Sequence, residues 1–446
     1  MIALLRRVAP AIILALGVSS AGGQSSLPSR LTDKAFWSLF ATMSEEGGSF
    51  PSENFISNER TYQHPIPYLQ RMVRAGDVYL GVGPEQNFTY IANLKPGFAV
   101  IFDIRRQNAL AHLMYKALFE LSPTRAEFLA RLFSRRLPDS VTSKSNPSAE
   151  ELFAALAAAP SNDSLFQRNL NEIYDRLTKT HGFALDSVDL RSIRHVYLTF
   201  FEAGTDINYN YRPGFAGLSP VYPTLGELQA LTNASGDRMA FLADEARYQL
   251  VRSMEQRNLI VPVVGDFAGP KAIRAVGTWL KERGANVGAF YLSNVEQYLF
   301  RSSFDASRFY ENVATLPTDT TSMFIRSVPP QGPLMSMNAV PVAPQISYSV
   351  QVFDSANVSV ISVTKDSAGQ RVTTRTIDSS ANRPMSPLPV FRSLQPSPLT
   401  LSPRFMMGGT LFSGVAPIGQ TLNAYRAGTL DSYNAAIAMT KVDGWK

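Results

Sequence analysis

One stretch limits the folds open to this chain more than any other. Val78-Tyr79-Leu80 is a short apolar run that ends in Gly81-Val82-Gly83-Pro84, and residues 98–102 form a second such run ending at Asp103. Between them, residues 85–94 suit a helix closed by Lys95-Pro96-Gly97. Two buried strands joined by one helix pair in parallel through a right-handed crossover, which predicts a sheet covered by helices. The helix expected after Asp103 runs to residue 121. Its apolar positions Leu110, Leu113, Met114, Ala117, Leu118 and Leu121 repeat with the helical period.

The same alternation returns over residues 260–327. Residues 259–264 read as a buried strand ending at Gly265-Asp266, and Gly269-Pro270 opens a helix that runs to Lys281 and stops at Gly284. Residues 287–292 read as another strand, ending at Ser293-Asn294. Between the two alternating regions, residues 122–259 are expected to form a helical insertion. Within it, 237–257 read as one long amphipathic helix, and 193–201 fit either a strand or a helix end. Upstream, residues 31–43 read as a helix and 44–67 as a polar loop. Eleven of the 29 prolines fall in 328–404, where strands at 346–353, 358–364 and 371–377 predict a small β-meander with irregular flanks. Helices are expected again in 405–446. The expected fold class is α/β: a Rossmann-like, mostly parallel sheet flanked by helices, with a helical insertion and a Pro/Ser-rich C-terminal segment containing the meander.

The first 24 residues read as a secretory signal peptide. Arg6 and Arg7 form a positive start, residues 8–18 are apolar, and Ser19 and Ala21 are small residues at the spacing signal peptidase accepts. An exported, periplasmic or extracellular protein is expected, with no integral membrane span after cleavage, since no other run nears the ~18 apolar residues a span requires. The chain has no cysteine, which excludes disulfides, thiolate metal sites and a cysteine nucleophile. The net charge of +6 includes Arg6 and Arg7. With no basic run interleaved with aromatics, nucleic acid is excluded as a partner.

The chemistry suggested by the opening motif depends on spacing. A glycine turn (Gly81, Gly83) at a strand end lets a ligand approach the backbone, and an acid ending the next strand, Asp103, can accept hydrogen bonds from ribose hydroxyls. Gln86 stands where the dinucleotide fingerprint has its third glycine, which leans away from NAD. The stretch from Gly81 to Asp103 resembles the first two strands of class I S-adenosylmethionine-dependent methyltransferases, and so implies S-adenosylmethionine as the candidate cofactor at Gly81, Gly83 and Asp103. The proline-containing tetrapeptide of amino-group methyltransferases is absent; Gly265-Asp266-Phe267-Ala268-Gly269 follows the later strand instead.

Other segments resemble a family of uncharacterised bacterial proteins built on this Rossmann-like core. They are Asn54-Phe55-Ile56-Ser57-Asn58-Glu59, Gly81-Val82-Gly83-Pro84-Glu85-Gln86-Asn87, Asp103-Ile104-Arg105-Arg106-Gln107-Asn108, Gly265-Asp266-Phe267-Ala268-Gly269-Pro270 and Tyr291-Leu292-Ser293-Asn294-Val295-Glu296-Gln297-Tyr298. This resemblance implies the fold and no reaction.

In open parallel sheets, ligands bind outside the carboxyl ends of the strands. Asp266, Ser293 and Asn294 are expected on that edge with Gly83 and Asp103; Ser293 and Asn294 also fit a helix cap. Glu59, in the loop before the first core strand, could fold over the edge, whereas Glu45 and Glu46 read as solvated turn residues. Arg105, Asn108, His112 and Tyr115 share one helical stripe that either holds an anion through Arg105 or is an ordinary polar face. Asn87 completes the candidate ligand-binding residues: Glu59, Asn87, Arg105, Asn108, Asp266, Ser293 and Asn294. The four histidines show no metal-ligand spacing, and no P-loop, GxSxG, HExxH or EF-hand pattern occurs. Three functions follow as expectations: an exported protein binding a small, nucleoside-like molecule; a methyltransferase-like enzyme; or a non-catalytic envelope protein contacting a partner through residues 328–404.

Overall fold

The strand–helix–strand run folds as its spacing requires. β1 (Val78–Val82) and β2 (Phe98–Asp103) pair in parallel with Val78 opposite Phe98, and the intervening helix Gln86–Leu94 is closed by Lys95 in the left-handed region at φ 51°. β3 (Ile260–Val264) pairs with the outer side of β2, and β4 (Val287–Ser293) with the other side of β1, both in parallel. Pro262 lies in β3, an edge strand, where a residue without an N–H costs no ladder bond. The structure is a computed structural model that describes residues 26–142, 146–209, 211, 222–329, 347–354, 357–366, 369–377 and 411–442. The expected leader at 1–24 and the flanks of the meander lie outside the described residues.

Two further strands complete the main sheet, and sequence patterning had assigned neither. β5 (Met323–Val328) extends the parallel set beside β4, and β9 (Phe412–Pro417) closes the sheet antiparallel to β5 with Met323 opposite Pro417. The order β3-β2-β1-β4-β5-β9 reverses direction between β1 and β4. Right-handed crossovers then put the helices of the two halves on opposite faces. Gln86–Leu94 and Arg106–Leu121 both pack on Glu245–Gln256, while Ala272–Lys281 packs with Asp33–Met43 and Ser303–Val313. The molecule is thus α/β, with a six-stranded, mostly parallel sheet between helices. Among the described residues no helix is long and apolar enough to cross a membrane.

The described residues between β2 and β3 are mainly helical. Residues 193–201, which fit either state, lie inside the helix Ser187–Ala203. The long helix expected at 237–257 is shorter, Glu245–Gln256, with Asp244 capping the Arg247 amide at 2.8 Å. The preceding amides are held by side chains instead. Met239 N–H donates to Gln63 Oε1 (2.6 Å), Phe241 N–H to Thr89 Oγ1 (3.1 Å) and Leu242 N–H to Gln229 Oε1 (3.3 Å). Amphipathic periodicity cannot foresee such tertiary acceptors.

The chain divides into two compact units, one comprising residues up to 330 and from 406 onward, the other 331–405. In the second unit β6 (Ser347–Asp354), β7 (Asn357–Asp366) and β8 (Gly369–Ile377) form the antiparallel meander expected from the sequence, with Val350 opposite Ile361 and Ile361 opposite Thr374. In the first unit, β9 is followed by helices Ile418–Arg426 and Tyr433–Ala438. Arg326 on β5 ties this tail down. Its guanidinium donates to buried Glu296 at 2.6 and 2.8 Å and reaches Thr440 Oγ1 at 3.3 Å.

Candidate functional site

At the end of β1 the chain turns through Gly83, whose φ of +76° suits glycine. This turn is fixed from behind. Gly83 O accepts from Asn87 Nδ2 (3.2 Å), Asn108 Nδ2 (3.1 Å) and His112 Nε2 (2.8 Å). A carbonyl only accepts, so His112 carries its proton on Nε2. Burial pushes its pKa down to about 4, which keeps the ring neutral. Asn87 also donates to the carbonyls of Val82 (2.9 Å) and Pro84 (2.7 Å), and its Oδ1 accepts from Tyr79 Oη at 2.9 Å. Gly81 is required by this knot, since a Cβ there would stand 1.9 Å from Asn87 Oδ1. Gly81, Asn87 and Asn108 therefore shape the turn from inside the protein.

The amides of the turn are already spent. Gly83 N–H donates to Phe102 O at 3.1 Å, Pro84 has none, and the Glu85 amide bonds its own side chain. The Glu85 carboxyl also accepts from Ser57 N–H at 3.3 Å, and burial pushes its pKa up to about 8.

Asp103 is likewise engaged. Its Oδ1 accepts from the Arg105 amide (2.8 Å) and Nε (2.9 Å), and its Oδ2 from Arg105 Nη2 (2.7 Å). The anion that Arg105 holds is thus the protein's own carboxylate, and Arg105 further donates to the carbonyls of Ser52 and Glu53. One lone pair of Asp103 Oδ2 remains for a ligand.

In front of these elements lies a cavity of about 300 Å³. Its wall brings together Glu59, Gly83, Asp103, Arg105, Asp266, Ser293 and Asn294, which come from a loop and from the carboxyl ends of four strands. The reversal of strand order between β1 and β4 opens this edge, as in other doubly wound sheets. Phe50, Asn54 and residues 56–59, from the stretch upstream of β1, complete this part of the wall. Glu45, expected in a solvated turn, is wired into the β3 end, accepting from the amides of Asp266 (2.9 Å) and Lys271 (3.2 Å).

Glu59, on the same wall, is only 1% exposed. Its Oε1 accepts from Tyr291 Oη (2.7 Å) and Ser293 Oγ (2.6 Å), and its Oε2 from Gln86 Nε2 (2.9 Å) and Ser413 Oγ (3.4 Å). Gln86, which displaces the third glycine of the dinucleotide pattern, therefore orients this carboxylate. Burial and the adjacent Glu59 charge hold the Tyr291 phenol well above its usual range, so it remains a donor. Ser293 lies at an irregularity in the β4–β5 pairing and adopts φ 50°, a conformation that costs a non-glycine residue about 1–3 kcal/mol. Asn54, also on the wall, has φ 46° and a buried Oδ1 with no hydrogen-bond partner among the described residues. With two donors on each oxygen the Glu59 carboxylate has no acceptor position to spare; it adds negative charge to the wall and fixes Ser293 Oγ, whose lone pairs can accept from a hydroxyl or ammonium group.

Sequence reasoning had not singled out the rings of the wall: Phe50, Tyr209, Phe267, Tyr291 and Tyr298. Phe267, Tyr291 and Tyr298 lie in segments that carry the family resemblance and were within reach. Tyr209, from the helical insertion, and Asp305 gave no signal, because only the fold brings them to the edge.

Residues 54–386 match a family model described as Domain of unknown function (DUF7790). No curated protein matches the chain. The matched region covers well over half of the chain and includes the strand ends and most of the cavity wall; the protein belongs to the DUF7790 family.

Proposed function

We propose that the protein binds a small, nucleoside-like molecule in the cavity at the carboxyl edge of the main sheet. The observation that carries this reading is convergence: Glu59, Gly83, Asp103, Asp266 and Asn294, from five separate backbone segments, line one partly open cavity. The rings of Phe50, Phe267 and Tyr298 offer stacking surface for a base, and Ser293 Oγ, held by Glu59, offers a fixed acceptor for sugar hydroxyls. Mass spectrometry of ligands released from natively purified protein tests this reading. A defined small molecule is expected at near-stoichiometric amount; a pocket empty in every preparation, together with no binding of adenosine by calorimetry, refutes it.

Methyl transfer is a second reading, favoured by a turn that spends its amides internally and so suits a cofactor without phosphates. Titration with S-adenosylmethionine tests it, and absence of binding removes it. Residues 1–24 are read as an export leader, so the ligand would be met outside the cytoplasm; N-terminal sequencing of the mature protein checks the cleavage.

A further inference from the structure

We infer that the cavity selects a ligand that carries positive charge and no phosphate. This rests on the reading of the cavity as a ligand site, and it concerns the charge of the occupant rather than its scaffold. Among the described residues of the wall, Glu59, Asp103, Asp266 and Asp305 are the carboxylic acids and Arg105 is the one Lys, Arg or His. Arg105 and Asp103 cancel through two side-chain hydrogen bonds, at 2.9 and 2.7 Å. Asp266, Asp305 and the fully hydrogen-bonded Glu59 remain without a basic residue among the described residues of the wall.

Two further features point the same way. The glycine turn, where a phosphate would find amides in a nucleotide-binding sheet, has those of residues 83–85 engaged within the protein or missing. Five rings stand among the remaining lining, and ring faces attract cations, as Arg105 over Phe50 and Arg301 over Tyr298 already show. Several donors of the wall are also engaged: Tyr291 and Ser293 both spend their hydroxyl protons on Glu59 and Arg105 spends most of its donors on protein oxygens, while Asn54 Oδ1 has no partner among the described residues. An ammonium-bearing ligand supplies donors and charge together, whereas an anion supplies neither.

The test uses charge-matched probes on the full-length protein, with affinities measured by calorimetry at moderate salt. One series is adenosine, its analogue with an amino group in place of the primary sugar hydroxyl, and adenosine monophosphate. The other is phenylethylammonium against phenylpropanoate. The aminated nucleoside is expected to bind about tenfold more tightly than adenosine, with the monophosphate weakest. Asp266→Asn combined with Asp305→Asn is expected to erase most of that preference. If the nucleosides are silent and phenylethylammonium still binds above phenylpropanoate, the charge inference stands and the nucleoside reading falls. The inference is overturned if either anion binds as well as its cationic counterpart, if neither cation binds, or if the double variant keeps the full preference.

Discussion

Asp103 is where a ligand residue and a structural residue make opposite predictions. If Asp103 served mainly to hold a ligand, Asp103→Ala would lose binding and leave the fold untouched. The geometry predicts that stability falls first. The Asp103 and Arg105 side chains are 7% and 9% exposed, and the carboxylate accepts three hydrogen bonds from Arg105. Removing one member of a buried pair strands the other charge, at a cost of about 3–5 kcal/mol. Arg105 keeps the carbonyls of Ser52 and Glu53 as acceptors, which places the expected loss near the lower end, about 3 kcal/mol. Urea denaturation followed by circular dichroism measures it. Replacing both residues, Asp103→Leu with Arg105→Leu, should cost less than the sum of the single changes by about 2 kcal/mol or more, the signature of direct coupling. A single-variant loss below about 1 kcal/mol, the worth of an exposed ion pair, would refute the reasoning.

Gly81→Ala should destabilise the first unit by about 3 kcal/mol, because the new Cβ expels Asn87 from its bonds to three carbonyls and Tyr79; an unchanged urea midpoint would contradict this. Glu85, raised from 4.5 to about 8, contributes stability that is complete below pH 4.5 and is lost as pH rises toward 8; Glu85→Gln should flatten that part of the profile, and parallel profiles would refute the assignment. His112, lowered from 6.5 to about 4, contributes stability present above pH 6.5 and lost as pH falls toward 4; His112→Gln should remove that acid-side slope in the same titration. Arg326→Met leaves Glu296 buried without its partner and frees the tail, so a loss of about 3–5 kcal/mol and early proteolytic cleavage after residue 417 are expected; a protease-resistant tail would count against the tether.

Much of the sheet was legible in the residues because its strands are short, apolar and bounded by glycine, proline or acid. β1, β2, β3 and β4 stand within a residue or two of their expected limits, as do the three strands of the meander. β5 and β9 escaped because Arg326 and Ser327 interrupt the first, and the second is a short Gly- and Pro-containing run next to a proline-rich stretch. Their apolar and polar groups are buried only once the strands pair. Of the candidate site residues, those at strand ends were predictable, since strand direction alone fixes which edge they occupy.

The sequence by itself determined the alternation of strands and helices, and with it the edge on which Gly83, Asp103, Asp266 and Ser293 meet. Periodicity and turn chemistry are local, and handedness of crossover supplies the rest. Only the tertiary structure decided what those residues do there. It turned Asn87 and Asn108 inward to hold the turn, closed Asp103 onto Arg105, and set Glu59 against Ser293 across 234 positions of chain. The physical reason is that a polar side chain in a protein interior takes whichever partner packing brings within about 3 Å, and sequence spacing carries no record of that choice.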